Sequence, residues 1–349
     1  MFVIWSRWAP PLERQKLLSL CFSGSVLGIV LTYPTVGILC DLYDDGWKYA
    51  FYLSGIVTII WCVLWYYFVY DTPSQHPRIS KLEKMYIRHC LKKDIPQEEA
   101  HTTPWIAILS SPAVWAYVIG HTAVGFHFVC LIALAPRYLQ DVHYFSNLTA
   151  AGIVAITYIG FFASCNLSAA VYDKIVARKI CSGSVARKTG SSIGLLVPAV
   201  LLIFAGFLNC NHSTQAVVIL AAINTVAGIQ FGAGYLMNVY EIAPQHAGVI
   251  FGFASTITSL SAMAPLTLIA KLTTSRLRSG WQITFLVLSA VFVLSSVMFI
   301  LIGSGELQKW AKTPEDIKYR MSELKVSRNN EEISRLSNRS SPVDIQESQ

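Results

Sequence analysis

Charge is scarce in this sequence. Asp, Glu, Lys and Arg make up 13% of its 349 residues, against about 25% in an ordinary soluble domain. A soluble protein of this size needs far more charge to cover its surface. Hydrophobic residues reach 54% and mean hydropathy is +0.49, so the composition is that of an integral membrane protein. Enzyme signatures are missing as well: there is no Gly-x-Ser-x-Gly elbow, no His-Glu-x-x-His pair and no P-loop. None of the eight cysteines forms a Cys-x-x-Cys pair, and most lie inside apolar runs, where a thiol acts as a small apolar group. The opening Met-Phe-Val-Ile-Trp lacks a charged n-region and a small-residue cleavage site, so no cleavable signal peptide is expected. The net charge of +7 is scattered in short basic patches between apolar runs, which fits membrane topology and gives no reason to expect nucleic acid.

A membrane-crossing helix needs about 20 mostly apolar residues. Eight segments qualify, roughly 17–40, 49–70, 113–135, 148–172, 191–208, 216–237, 247–270 and 282–302. The fourth and sixth are rich in Gly, Ser and Asn, the composition of helices that approach others closely. Gly24 and Gly28 form a Gly-x-x-x-Gly pair, a possible but weak packing face. The chain divides into 1–70 with two spans, a loop at 71–112, a six-span segment at 113–302 and a polar tail at 303–349, expected to be largely disordered. Within the loop, Lys81 to Lys93 interleaves bases with Leu82, Met85, Tyr86, Ile87 and Leu91, a pattern for a short amphipathic surface helix.

Loop charges set the expected orientation. One side holds fourteen Lys and Arg residues, from Arg7, Arg14 and Lys16 through 78–93 to Lys174, Arg178, Lys179, Arg187 and Lys188, whereas the other holds five. The basic side is expected to be cytoplasmic, with both termini on it. The sequons at Asn147 and Asn211 both fall on the opposite side, where glycans are added.

An ionisable group inside a membrane is a functional candidate. Apart from thiols and tyrosines, the deep ones here are His121 and His127. Six positions on a helix separate them by roughly 120°, so they do not aim at one metal ion. Each can relay a proton or bond an anionic substrate, or sit neutral on a neighbouring backbone or hydroxyl group. Asn238, at the end of the sixth span, can bond a ligand or cap a helix. Asp173, followed by Lys174, Arg178 and Lys179, can lock neighbouring helix ends by ion pairing, or be an incidental acid in a basic loop.

Several segments together resemble one transporter family. Trp8-Ala-Pro10-Pro11-Leu-Glu13-Arg14 resembles the loop after the fourth helix of the sialin, vesicular glutamate transporter and type I sodium–phosphate cotransporter family, within the major facilitator superfamily. Asp71-Thr-Pro73 to Glu83 resembles its central loop, Glu241-Ile-Ala-Pro244 its Asp-Ile-Ala-Pro, and Gly305-Glu-Leu-Gln-Lys-Trp310-Ala311 its segment after the last helix. The run Asp173-Lys174 to Arg178-Lys179 resembles the superfamily's cytoplasmic acid–base motif, with Ala169 and Ala177 for its glycines. Family members have twelve spans, so the resemblance implies that this chain starts near the end of the fourth, without the arginine and glutamates that the family carries there. His121 matches a histidine of sialin, and Asn238 the family's asparagine. Phe126, His127, Phe128 and Val129 stand where the family has Trp-Thr-Phe-Tyr, and Val124 stands at the glutamate transporters' arginine.

The expectation is an all-α membrane protein with a partial major facilitator fold. Pro34 and Gly37 are expected to let the first span bend. The resemblance implies a non-enzymatic secondary transporter of a small organic or inorganic anion, such as sialic acid, glutamate, urate or phosphate, by alternating access. It would need a proton or sodium gradient and no other cofactor, and would work in the plasma membrane or a lysosomal or vesicle membrane, with a monomer compatible with this reading. His121, Phe126, His127 and Asn238 would line the substrate path, and Asp173, Lys174, Arg178 and Lys179 would gate the cytoplasmic side. A truncated, non-transporting form with an interaction or regulatory role is the alternative.

Overall fold

The computed structural model describes residues 2–91, 103–273 and 278–312. Most of the 303–349 tail and the middle of the central loop therefore lie outside the described residues. Regular structure among the described residues is helical throughout. In chain order the α-helices are α1 (Phe2–Trp8), α2 (Pro11–Leu42), α3 (Gly46–Phe68), α4 (Lys81–Leu91), α5 (Trp105–Leu109) and α6 (Pro112–His143). Then follow α7 (Asn147–Ala177), α8 (Gly183–Phe207), α9 (Ser213–Gly232), α10 (Asn238–Ile242), α11 (Ala247–Thr273) and α12 (Arg278–Ile302).

Each expected span falls on a helix except the sixth, which is interrupted. Among the described residues seven helices are long and apolar enough to cross a membrane. The remaining expected span, 247–270, is α11, several of whose side chains lie outside the description. The helices overrun the apolar windows because their ends are set by capping chemistry as well as by hydropathy. Pro11 opens α2, where its missing N–H and fixed φ suit the first turn. Ser146 and Ser182 cap α7 and α8 by accepting from the backbone N–H of Thr149 and Val185. Tyr144 closes α6 in the left-handed region at φ 59°.

The sixth expected span, 216–237, is not one continuous helix. It breaks after Gly232 and resumes as the short α10 at Asn238. Irregular backbone at membrane depth survives only where protein or a wet cavity satisfies its polar groups, and α8 and α2 supply those groups here.

α7 lies between α2 and α9, α8 packs on α12 and α9, and α6 packs on α11 and α12. The packing of α7 against α9 relies on glycines. A Cβ at Gly228 would collide with Ser164 and the Phe161 carbonyl, and one at Gly232 with the Cys165 carbonyl and Ser168. Gly24 and Gly28 are not a packing face: a Cβ at either meets nothing within 4 Å. Gly37, expected to permit bending, also faces α7: a Cβ there would lie 3.2 Å from the Leu148 side chain and 3.4 Å from that of Ala151. α3 leans on α2 and leaves Phe51, Ile59, Trp61 and Tyr66 exposed.

Two ends are distinguishable from the contacts. At one, Trp8 Nε1 donates to the Tyr70 carbonyl at 2.9 Å, and Tyr86 of α4 donates to Glu13 at 3.0 Å. This end carries the basic loops. The Glu13 carboxylate raises the exposed Tyr86 phenol above its ordinary pKa by accepting its hydrogen bond. At the other end His143 Nε2 meets Tyr138 Oη at 3.1 Å and His143 Nδ1 meets Ser213 Oγ at 3.4 Å. That contact brings the turns bearing Asn147 and Asn211 to the same end, and both asparagines are exposed.

Candidate functional site

The break between α9 and α10 frees backbone carbonyls that a continuous helix would have paired. Two side chains from other helices take them. Arg187 of α8 donates Nη1 to the Gly234 carbonyl at 3.2 Å, and Gln15 of α2 donates Nε2 to the Gly232 carbonyl. Arg187 also grips Glu241 of α10: Nη2 lies 2.8 Å from Oε1, and Nε lies 3.1 and 3.2 Å from the two carboxylate oxygens. Arg187 Nη2 donates to Gln15 Oε1 at 2.9 Å, and Tyr172 of α7 donates to Glu241 Oε1 at 2.7 Å. The guanidinium lies 3.7 Å above the Tyr172 ring, a cation–π stack.

This is a closed network in which the Arg187 side chain is 3% exposed. A planar guanidinium suits it, since it serves one carboxylate, one amide oxygen, one carbonyl and one ring face at once. Four helices and the break contribute, so the pair fixes the basic end of α7, α8 and α10 against α2.

The contact with α2 continues along one face. Gln15, Ser19 and Ser23 recur every four residues and are buried. Ser19 donates to the Cys165 carbonyl at 3.2 Å and its hydroxyl lies 3.3 Å from the Cys165 thiol. Asn166 donates to Ser23 at 3.0 Å and to the Phe162 carbonyl at 2.9 Å. Except at Arg187, the bonds along this seam are between uncharged groups, each of which contributes about 0.5–1.5 kcal/mol. Such a seam holds two elements together yet can part.

The expected gate residues sit beside this network. Asp173 is half-buried and its charge is felt by Arg187 and Lys16. Lys174, Arg178 and Lys179 are exposed. The ion pairs among the described residues are Lys48–Asp45, Arg137–Asp141 and Arg187–Glu241; Asp173 is in none of them, whereas Arg187, counted above among the loop bases, is.

The expected path residues separate into two groups. His121 is partly exposed, with Nδ1 3.0 Å from Tyr235 Oη and Nε2 3.1 Å from Ser255 Oγ. The Tyr117 ring stacks on it at 6.0 Å with an interplanar angle of 6°. Asn238 is flanked by Met237 and Val239, which pack in the same buried cluster as Tyr117 and Tyr235, and its backbone N–H bonds the Tyr235 carbonyl at 2.9 Å. The Asn238 side chain does not cap α10: it is fully buried, and neither amide atom finds a hydrogen-bond acceptor or donor. His127 and Phe126 turn away into the core, His127 among the rings of Phe128, Phe161 and Phe292. The roughly 120° read from the spacing is what parts the two histidines.

The segments quoted for the resemblance meet at the basic end. The Gln308 N–H bonds the Ile242 carbonyl at 2.9 Å, and Trp310 lies over His246 just after Pro244. Pro10 is buried at the entry to α2. The residues that sequence reasoning passed over are Gln15, Tyr172 and Arg187. Arg187 is five residues into a helix opened by Ser182, a position one full turn past the loop, and that was the available signal.

Comparison with known proteins agrees with this architecture. Residues 1–266 match the Major Facilitator Superfamily. Over 311 residues the chain is 36% identical to sialin of Ovis aries and 35% identical to sialin of Homo sapiens, covering 89% of this chain and 62% of either sialin. It is 31% identical to vesicular glutamate transporter 3 of Danio rerio over 312 residues, covering 88% of this chain and 52% of that protein. The chain thus spans about three fifths of the length of the sialins it matches. It is a multi-pass membrane protein of a transporter family rather than an enzyme, and it belongs to the Major Facilitator Superfamily.

Proposed function

We propose that the chain serves secondary active transport of a small organic or inorganic anion, driven by a proton or sodium gradient through alternating access. The observation that carries this reading is the polar seam on which α2 meets the second group of helices, ending at the Gln15–Arg187–Glu241 network, in a chain similar to sialin. Rocking of one helix group against the other around a midplane site is the general mode of such folds. A seam of weak bonds closed by one multidentate side chain is what such rocking has to open. In this reading Gln15, Arg187, Glu241 and Tyr172 close the basic end, with Asp173 beside them and Lys174, Arg178 and Lys179 at the exposed rim.

His121, backed by Tyr235 and Ser255, lines the path for the substrate, with Asn238 behind it. An imidazole with hydroxyl neighbours suits a carboxylate or phosphate oxygen. The basic end faces the cytoplasm, by the charge rule for loops. Asn147 and Asn211 at the opposite end carry glycans. The membrane is the plasma membrane or a lysosomal or vesicle membrane, and the working unit is a monomer.

Uptake by this chain in proteoliposomes tests the reading. Sialic acid, glutamate, urate and phosphate are each offered under an imposed proton or sodium gradient. At least one accumulates, and an ionophore that collapses the gradient abolishes it. No accumulation of any of the four under either gradient contradicts the proposal.

A further inference from the structure

At the basic end, away from the seam, α1, the end of α3 and the following loop line an open apolar cavity of about 300 Å³. Its walls include Trp5, Trp8, Trp65, Phe68, Val69 and His76. A volume of this size lies at the lower end of the range for small-molecule sites, and aromatic walls with few polar groups are their usual lining. The walls are fixed from several sides. Trp8 is anchored through its indole to the Tyr70 carbonyl, and His76 packs edge-on against Trp8 at 5.7 Å and Tyr70 at 4.9 Å. One wall group is unsatisfied: the Trp5 indole N–H is buried and finds no acceptor in the protein, an uncommon state for a buried donor.

The rim is basic. Arg78 lies 5.8 Å from the centre of the Phe68 ring, and its backbone N–H bonds His76 Nδ1 at 3.2 Å. Lys84 is held over the same loop by a bond to the Ser74 carbonyl at 3.1 Å. Lys81 and Arg88 follow on α4. The nearby acids are Asp71, Glu83 and Glu13, and Glu13 already accepts from Tyr86. On the outer face of α4, Leu82 and Met85 are 77% and 59% exposed. A basic helix with exposed apolar side chains, next to the ends of spanning helices, lies in the headgroup layer.

We propose that this cavity binds one anionic phospholipid, with an acyl chain between Trp5, Trp65 and Phe68 and the net negative charge of its headgroup, in phosphatidylserine the carboxylate that phosphatidylcholine lacks, on Arg78. The occupant is amphipathic because the walls are apolar and the rim is charged. It is anionic because Arg78 stands over the Phe68 wall and Lys84 is tied to the Ser74 carbonyl of the adjoining loop. It enters from the bilayer because the cavity lies at the ends of the spanning helices. Juxtamembrane bases next to an anionic leaflet supply the attraction. The proposal does not depend on what the chain transports.

Native mass spectrometry of the full chain tests it. The protein is stripped of lipid in detergent and titrated with phosphatidylserine or phosphatidylcholine. The expected result is one phosphatidylserine retained per chain, and phosphatidylcholine bound about tenfold more weakly, the factor that one charge-assisted hydrogen bond represents. Arg78→Gln, an exposed position whose change leaves the core intact, weakens phosphatidylserine to the phosphatidylcholine level. Val69→Phe, which fills the cavity, weakens both. Equal binding of the two lipids overturns the proposal, as does unchanged phosphatidylserine binding in Arg78→Gln.

Discussion

Gln15 of α2 bonds Arg187 of α8 at 2.9 Å and, with its other amide atom, the Gly232 carbonyl at the broken end of α9. One uncharged side chain thereby joins the first group of helices to the buried charge and to the helix break of the second. If α2 moves away, Arg187 loses a ligand and Gly232 loses its donor together.

Removing Glu241 leaves the charge of Arg187, whose side chain is 3% exposed, buried without its carboxylate. Glu241→Ala is therefore expected to destabilise the protein by about 3–5 kcal/mol. The double variant Arg187→Met with Glu241→Leu is expected to recover most of that loss, because isolated buried charge is the main penalty. Thermal unfolding in detergent compares them. A double variant as unstable as Glu241→Ala contradicts this account of the pair.

The glycines of α9 and α2 give opposite expectations. Gly228→Ala and Gly232→Ala insert a methyl group against the α7 backbone and are expected to lower stability by about 1–3 kcal/mol. Gly24→Ala and Gly28→Ala meet open space and are expected to be neutral or slightly stabilising through better helix propensity. The same unfolding measurement on the four variants separates the two glycine pairs, and equal effects would show that the α7–α9 approach is looser than described.

Much of this architecture was legible in the sequence, because hydropathy and turn chemistry are local. The eight long helices, the amphipathic α4 and the clustering of basic loops at one end all follow from windows of about twenty residues. The site was less legible. Arg187 lies next to Lys188 in a basic stretch, and only tertiary packing shows that one is buried while the other reaches outward to the Ile300 carbonyl. The break after Gly232 was hidden because Ala233 to Met237 is as apolar as a helix interior. The Gly228–Gly232 pair reads no differently from Gly24–Gly28, since spacing says which residues share a face and not what that face meets. The roughly 120° between His121 and His127 follows from their spacing, but which of the two stays near the surface depends on α7 and α12.

The two histidines are expected to behave differently in uptake. His121→Ala removes the group bonded to Tyr235 and Ser255 and is expected to lower transport at least about tenfold, while leaving the folded yield near wild type. His127→Phe replaces one ring by another in an aromatic core and is expected to retain transport within about twofold. Wild-type transport in His121→Ala would remove that residue from the path.

Cys165 offers the most direct reading of the seam, since it is fully buried beneath Ser19. The measurement is its rate of alkylation by N-ethylmaleimide in wild type and Gln15→Leu, with the exposed Cys210 as the reference in each molecule. Losing one charge-assisted and one neutral bond should favour the parted seam, and the Cys165 rate relative to Cys210 is predicted to rise at least about tenfold. An unchanged ratio would show that Gln15 does not hold the seam closed, and would contradict the gate.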